Sequence, residues 1–279
     1  MTKKPLTIAT AQSFVSADVE ENGREVRRLM MLACQEGADL IHFTEGALSG
    51  YVKRQIGSWE EVDWALLERE LEATAHLANE LGIWTVLGCN HRLTPPNKPH
   101  NSLYIISAEG KLHTRYDKQW CSSAELSGWY TPGQSLCVFE LEGWRFGCAL
   151  CIEIQFPELF LAYAEKAVDC MLFSSYSDSA MFGIQAQGYA ASHNVWFSVS
   201  TPAQLSHTLS SRMIAPNGEL QEVCKREDST FVLSVLDPKA PELNVSLNYA
   251  KPWRAKAREG DIYRSHFVTD ARSEEKTKF

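Results

Sequence analysis

One feature constrains this chain more than any other. Short apolar runs alternate with longer segments whose apolar residues recur at helical spacing, over most of its length. Leu6–Gln12 reads as a first strand. Val26, Leu29, Met30 and Ala33 mark the buried face of a helix over 19–36, which Gly37 stops. A strand over 39–44 follows, then a helix over 59–81 ending at Gly82, then a strand over 83–89. The second half alternates in the same way. A helix over 156–167 is opened by Pro157, whose fixed φ suits a first turn. Next come a strand over 169–175, a helix within 179–193 and a strand over 195–200. Hairpins interrupt the alternation at Ala108-Glu109-Gly110, at Glu142-Gly143 and at Asn217-Gly218, and 231–236 reads as a further strand. Such a pattern predicts an α/β layered domain with mixed sheets.

The stretch 91–100 carries Pro95, Pro96 and Pro99 and reads as a loop. The long irregular stretch 119–135 carries Trp120, Glu125, Trp129 and Tyr130. Loops of that length are usually functional or disordered, and its aromatic residues argue for order. Residues 1–262 are read as one domain. The polar tail 263–279 is expected to be loose or docked on a partner subunit. The formal net charge of -8 argues against nucleic acid or an anionic membrane as partner. No apolar run is long enough to span a bilayer. The N-terminus has no signal-peptide pattern, so a cytoplasmic location is expected. The eight cysteines are scattered, which suits reduced thiols better than a disulfide framework.

Three predicted strands end on residues capable of chemistry. The run before Cys151 is apolar and a Pro-initiated helix follows, so the thiol stands on a strand-to-helix turn. The strand over 39–44 runs into Glu45, and that over 111–117 into Lys118. A thiol attacks an acyl carbon only as thiolate. Glu45 is placed to take its proton, and later to activate water against the thioester. Lys118 is placed to hold the oxyanion. Taken singly, such a Cys is more often a small core residue, and such a Glu or Lys a solvated strand end. The coincidence of three, with Phe156-Pro157-Glu158 following, favours chemistry. Other constellations fall short. Cys148 and Cys151 form a C-x-x-C without a second pair, and strand geometry points their thiols to opposite faces. The histidines lack ligand spacing, and no nucleotide-binding glycine motif occurs, so no cofactor and no metal is implied.

The segments Phe43-Thr-Glu45-Gly-Ala-Leu-Ser-Gly-Tyr51, Arg115-Tyr-Asp-Lys118 and Cys151-Ile-Glu-Ile-Gln-Phe-Pro-Glu158 together resemble the nitrilase superfamily of carbon–nitrogen hydrolases. Weaker matches follow in order at 190–194, 211–218 and 251–258. The resemblance, on its amidase and carbamoylase side, implies a four-layer α-β-β-α sandwich. It also implies a catalytic Glu45, Lys118 and Cys151, and pairing of subunits into a homodimer or higher homo-oligomer, often with the tail reaching across. The implied reaction is metal-free hydrolysis of a nonpeptide C–N bond in a small-molecule amide or carbamoyl compound, through a cysteine acyl-thioester. Glu125 is the candidate fourth catalytic residue, a solvated surface carboxylate being the other reading. Tyr51, Trp120 and Tyr176 are candidate pocket walls, with core packing as the alternative, and the Ile152 N–H is a candidate oxyanion donor. Four departures stand out: Asp117 where many relatives have Arg, Glu153 where Asp is usual, Gln155 where several branches have Arg, and a helix over 185–194 lacking a common ion pair. Without an Arg at 155 no fork for a substrate carboxylate remains, which favours a neutral or cationic substrate. A nitrilase acting on nitriles is the alternative enzyme. A silent homologue binding a metabolite or protein is the alternative of another class.

Overall fold

In the computed structural model, which describes residues 3–277 and 279, the apolar runs become two six-stranded sheets. The first half supplies β1 (Leu6–Gln12), α1 (Val19–Gln35), β2 (Leu40–His42), α2 (Trp64–Leu81), β3 (Trp84–His91), β4 (His100–Ile106) and β5 (Leu112–Asp117). Then come α3 (Ser123–Leu126), β6 (Val138–Leu141), β7 (Trp144–Leu150), α4 (Pro157–Glu165), β8 (Cys170–Ser174), α5 (Ala180–His193) and β9 (Trp196–Ser200). The chain continues through β10 (Arg212–Ile214), β11 (Leu220–Val223) and β12 (Thr230–Leu236) to α6 (Lys251–Glu259), α7 (Asp261–Arg264) and α8 (Ala271–Glu274).

The sheets run β12-β1-β2-β3-β4-β5 and β11-β10-β9-β8-β7-β6. Each has a parallel centre, β1-β2-β3 in one and β7-β8-β9 in the other, flanked by antiparallel pairs. Three apolar clusters lie between four layers. Val26, Leu29 and Met30 of α1 and Leu67 of α2 pack on the first sheet. Leu103, Phe139, Phe146 and Trp196 fill the space between the sheets. Phe160 and Tyr163 of α4 and Phe182 of α5 cover the second sheet. This is the layered α/β arrangement with mixed sheets that the alternation predicts, and the α-β-β-α sandwich that the resemblance implies.

The helix expected from residue 59 begins later. Trp59–Glu61 forms a 3₁₀ turn, and the Asp63 carboxylate accepts the Leu66 N–H at 2.9 Å, so the α-helix starts at Trp64. The stretch 119–135, expected to be irregular, contains α3, closed by a capping box between Ser122 and Glu125. At the C-terminal end of α5, where an ion pair is missing, Arg254 of α6 donates to the Ala191 and Ser192 carbonyls and to Asn194 Oδ1. A guanidinium on the last carbonyls of a helix suits both its unpaired acceptors and its dipole. Residues 263–277 of the tail are exposed throughout. No helix among the described residues is long and apolar enough to cross a membrane.

Candidate active site

Glu45, Lys118 and Cys151 lie just past the C-terminal ends of β2, β5 and β7. What brings the two sheets' ends together is visible in the backbone. The Thr44 hydroxyl is within hydrogen-bond reach of the carbonyls of Ser175 and Ser200, at 3.1 and 3.2 Å, tying the Glu45 turn to the second sheet. Gly88 on β3 lies directly under that turn. A Cβ there would come within 2.0 Å of the Thr44 carbonyl oxygen and 3.0 Å of the Glu45 Cα, so only glycine admits this approach. Gly133 does the same for Lys118: its N–H donates to the Lys118 carbonyl at 2.8 Å, and a Cβ would strike the Asp117 carbonyl.

The charged side chains converge out of water. Glu45 and Lys118 are fully buried, and Cys151 is 8% exposed. Lys118 Nζ donates to Glu45 Oε1 at 3.1 Å and to Glu125 Oε1 at 2.7 Å. Glu45 Oε1 also accepts from Asn101 Nδ2 at 2.7 Å, and its Oε2 from the Tyr176 N–H at 2.7 Å. Burial disfavours the charge on Lys118, but the neighbouring Glu45 and Glu125 outweigh it and hold the ammonium well above its ordinary value. Burial likewise opposes ionisation of Glu125, and Lys118 overcomes it, so that carboxyl lies below its ordinary value. Burial and the Glu45 charge push the Cys151 thiol up, against the pull of Lys118. At rest, then, Lys118 is an ammonium and Cys151 a thiol.

Cys151 itself is in the left-handed region, at φ 51°, where a non-glycine residue costs about 1–3 kcal/mol. The neighbouring Glu153 over-determines that turn. Its carboxylate accepts the Leu150 N–H (2.7 Å), the Gln119 N–H (2.7 Å), the Trp120 N–H (3.0 Å) and the Tyr116 hydroxyl (2.8 Å). One buried side chain thus ties the Cys151 turn to the backbone following Lys118. Burial raises its carboxyl to about 7, against these donors. The C-x-x-C is separated as strand geometry requires: Cys148 packs between the sheets, Cys151 beneath the outer helices.

Of the other expected residues, Glu125 joins the cluster through Lys118, and its Oε2 accepts the Ser122 N–H at 2.7 Å. Tyr51 and Tyr176 stack at 5.0 Å, with the Tyr51 hydroxyl 3.4 Å from Glu125 Oε1. Trp120 is 38% exposed and leans on Phe156 at 4.3 Å. Ile152 is half-buried at the start of the 3₁₀ turn Cys151–Gln155, and Gln155 is exposed at its end. Asp117 is forked by Arg115 and bonded to Ser102, so its charge is locally matched. A cavity of about 610 Å³ beside it, lined by His100, Arg115 and Cys137, lies outside the cluster. Sequence reasoning did not find Asn101 or the anchoring part played by Glu153. A lone carboxylate inside the run Cys-Ile-Glu-Ile was the available signal for the second. Among the described residues no group of three His, Cys, Asp or Glu could hold a metal ion.

The carbon-nitrogen hydrolase family model matches residues 6–239. The chain is similar to omega-amidase NIT2 of Xenopus tropicalis, 22% identical over 209 residues that cover 71% of this chain and 74% of that one. Its fold is similar to an amidase from Nesterenkonia sp., with TM-score 0.74, 17% identity, and 85% of this chain and 92% of that chain covered. It is also similar to Nit3 of Saccharomyces cerevisiae, a member of branch 10 of the nitrilase superfamily, with TM-score 0.73, 21% identity, and 87% and 93% covered. A match over most of the chain, on the same sandwich as solved relatives, leaves one assignment: the protein belongs to the carbon–nitrogen hydrolase family, within the nitrilase superfamily.

Proposed function

We propose that this protein is a thiol amidohydrolase that cleaves a small uncharged amide or carbamoyl compound and releases ammonia or an amine. The observation that carries this reading is the water-excluded cluster of Glu45, Lys118 and Glu125 beside a thiol held on a left-handed turn. Glu45 takes the proton from Cys151 as sulfur attacks the carbonyl carbon. The carbonyl π electrons move to oxygen, where Lys118 Nζ and the Ile152 N–H stabilise the charge. Collapse expels the amine, which takes the proton from Glu45. Glu45 then activates water against the thioester, and Glu125 keeps Lys118 charged and aimed throughout. The similarity to proteins described as amidases supports an amide over a nitrile as substrate.

Substrate charge follows from the surroundings. Glu45 and Glu125 share a single ammonium, so a substrate carboxylate would enter beside two acidic side chains matched by one cation. Tyr176 supplies a polar contact of defined sense. Gln55 Oε1 accepts the Tyr51 N–H and Gln204 Oε1 accepts the Val15 N–H, which fixes both amides. Their nitrogens donate to the Tyr176 hydroxyl at 2.7 and 3.0 Å, leaving its proton for an acceptor on the substrate. Tyr51 and Trp120 complete the walls, and Gln155 lies at the rim. The working unit is a homodimer or higher homo-oligomer, with the exposed tail loose or docked on a partner subunit.

Ammonia release from paired amides, carbamoyl compounds and nitriles tests the reaction. The expected result is turnover of neutral amides, abolished by Cys151→Ala and largely kept in Cys148→Ala. In wild-type enzyme quenched with acid during turnover, an acyl adduct on Cys151 is expected by mass spectrometry. Normal turnover by Cys151→Ala would rule the triad out.

A further inference from the structure

Parallel pairing sets Leu150 of β7 level with Ser174 of β8. Cys151 and Ser175 directly follow these two paired residues, so thiol and hydroxyl leave from adjacent strand ends. Ser175 is fixed through its backbone, its N–H donating to the Ser200 carbonyl at 2.9 Å and its carbonyl facing the Thr44 hydroxyl at 3.1 Å. Its side chain is different. Ser175 has no exposed surface, and its hydroxyl has no hydrogen-bond partner among the described residues of the resting structure. The same hydroxyl lies beside the Cys151 thiol and favours its ionised form. A buried hydroxyl left without a partner is costly, and an alanine would fill the position without that cost. The charged groups acting on the sulfur are Glu45, Lys118 and Glu125, and only Lys118 is a cation.

We propose that Ser175 is a further catalytic residue, whose hydroxyl stays idle against the resting thiol and donates a hydrogen bond to the Cys151 sulfur once Glu45 has taken its proton. This rests on the reading of Cys151 as nucleophile. No proton leaves Ser175, so the step stays balanced as written above: Glu45 gains the proton, and sulfur gains the hydrogen bond and then the acyl carbon. Lys118 is then free to serve the carbonyl oxygen while Ser175 holds the sulfur. The hydroxyl's cost in the resting state is offset only during turnover.

The test follows alkylation of Cys151 by iodoacetamide against pH, read peptide by peptide because the chain has eight cysteines. In Ser175→Ala the midpoint of the profile is expected to rise by about one pH unit, with alkylation at neutral pH about tenfold slower. Ser175→Thr, which keeps a hydroxyl, should restore most of the rate. The melting temperature separates this from a structural role. Removing an unpartnered hydroxyl should leave Tm unchanged or raise it by up to about 4 °C, where loss of a structural bond would lower it. Coincident profiles for wild type and Ser175→Ala would overturn the proposal alone, as would a slower rate that merely tracks a fall in Tm. Labelling that spares Cys151 in the wild type would overturn the nucleophile assignment itself, and this proposal with it.

Discussion

Two buried titratable residues next to the reacting strands have opposite effects on stability. His42 on β2 is wedged between the sheets, its ring nitrogens 2.9 Å from the Ser198 hydroxyl and 2.8 Å from that of Ser174. Burial drops it to about 3 from an ordinary 6.5, so it folds neutral. Below pH 6.5 the unfolded chain takes up a proton that the folded chain refuses, and stability falls as pH falls towards 3. Glu153 runs the other way. With its carboxyl raised by burial to about 7 from 4.5, the folded state binds the extra proton between those values. Its contribution is full below 4.5 and is lost as pH rises through 7. The slopes oppose one another between pH 4.5 and 6.5. Glu153→Gln removes one of them, so its stability deficit against wild type should widen on going from pH 7.5 to pH 4.5, by about 3 kcal/mol at 1.36 kcal/mol per unit. Urea unfolding at the two values measures this. A deficit that stays constant would mean that Glu153 titrates alike in the folded and unfolded chain.

At the scale of elements, most of the sandwich was legible, because burial on one or both faces leaves periods of two and 3.6 in the apolar residues. The strand ends carrying Glu45, Lys118 and Cys151 were legible for the same reason: a charged or thiol residue following an apolar run is conspicuous. What was not legible depends on side chains that act at a distance in sequence. Asp63 moves the start of α2, and Ser122 with Glu125 closes α3, within segments that look continuous or irregular. Gly88 admits the Glu45 turn, a constraint that no local pattern announces. The helix α6 went unassigned because its residues are mostly charged and none is buried. It is held instead by polar contacts: Asp169, at the foot of β8, binds the ammonium groups of Lys3 and Lys251 and the Arg145 N–H. Burial disfavours that carboxylate, and Lys251 and Lys3 outweigh it and keep its carboxyl below the ordinary value. Asp169→Asn leaves two partly buried ammonium groups with no counter-charge there, and is expected to cost about 3 kcal/mol. Hydrogen exchange in residues 245–259 should quicken well before that in β8, which the parallel strands on either side hold. Equal exchange in the two segments would remove Asp169 as the anchor of α6.

The whole molecule presents apolar surface where one layer meets water. Ile184 of α5 is 71% exposed and Trp253 of α6 56%, and Leu161 of α4 and Tyr249 before α6 are exposed as well. Phe267 and Val268 of the tail, at 76% and 82%, are further large side chains with little cover. Single apolar residues on a surface mean little, but several on neighbouring outer elements are where the proposed second copy would sit. The face has mechanical relevance, since α4 begins at Pro157, six positions after Cys151, and its first turn continues from the segment that Glu153 anchors. A second copy seated on α4 and α5 would restrain the far end of the same segment. The proposed homodimer therefore predicts coupling between assembly and activity. Light scattering is expected to give twice the 31.4 kDa chain mass. Ile184→Asp, which puts a charge on the exposed side of α5, should shift the mass to one chain. It should also lower kcat more than it raises KM, because a loosened Cys151 turn spoils attack geometry before it spoils binding. A monomer with unchanged kcat would separate the two, leaving the Cys151 turn to the Glu153 contacts alone.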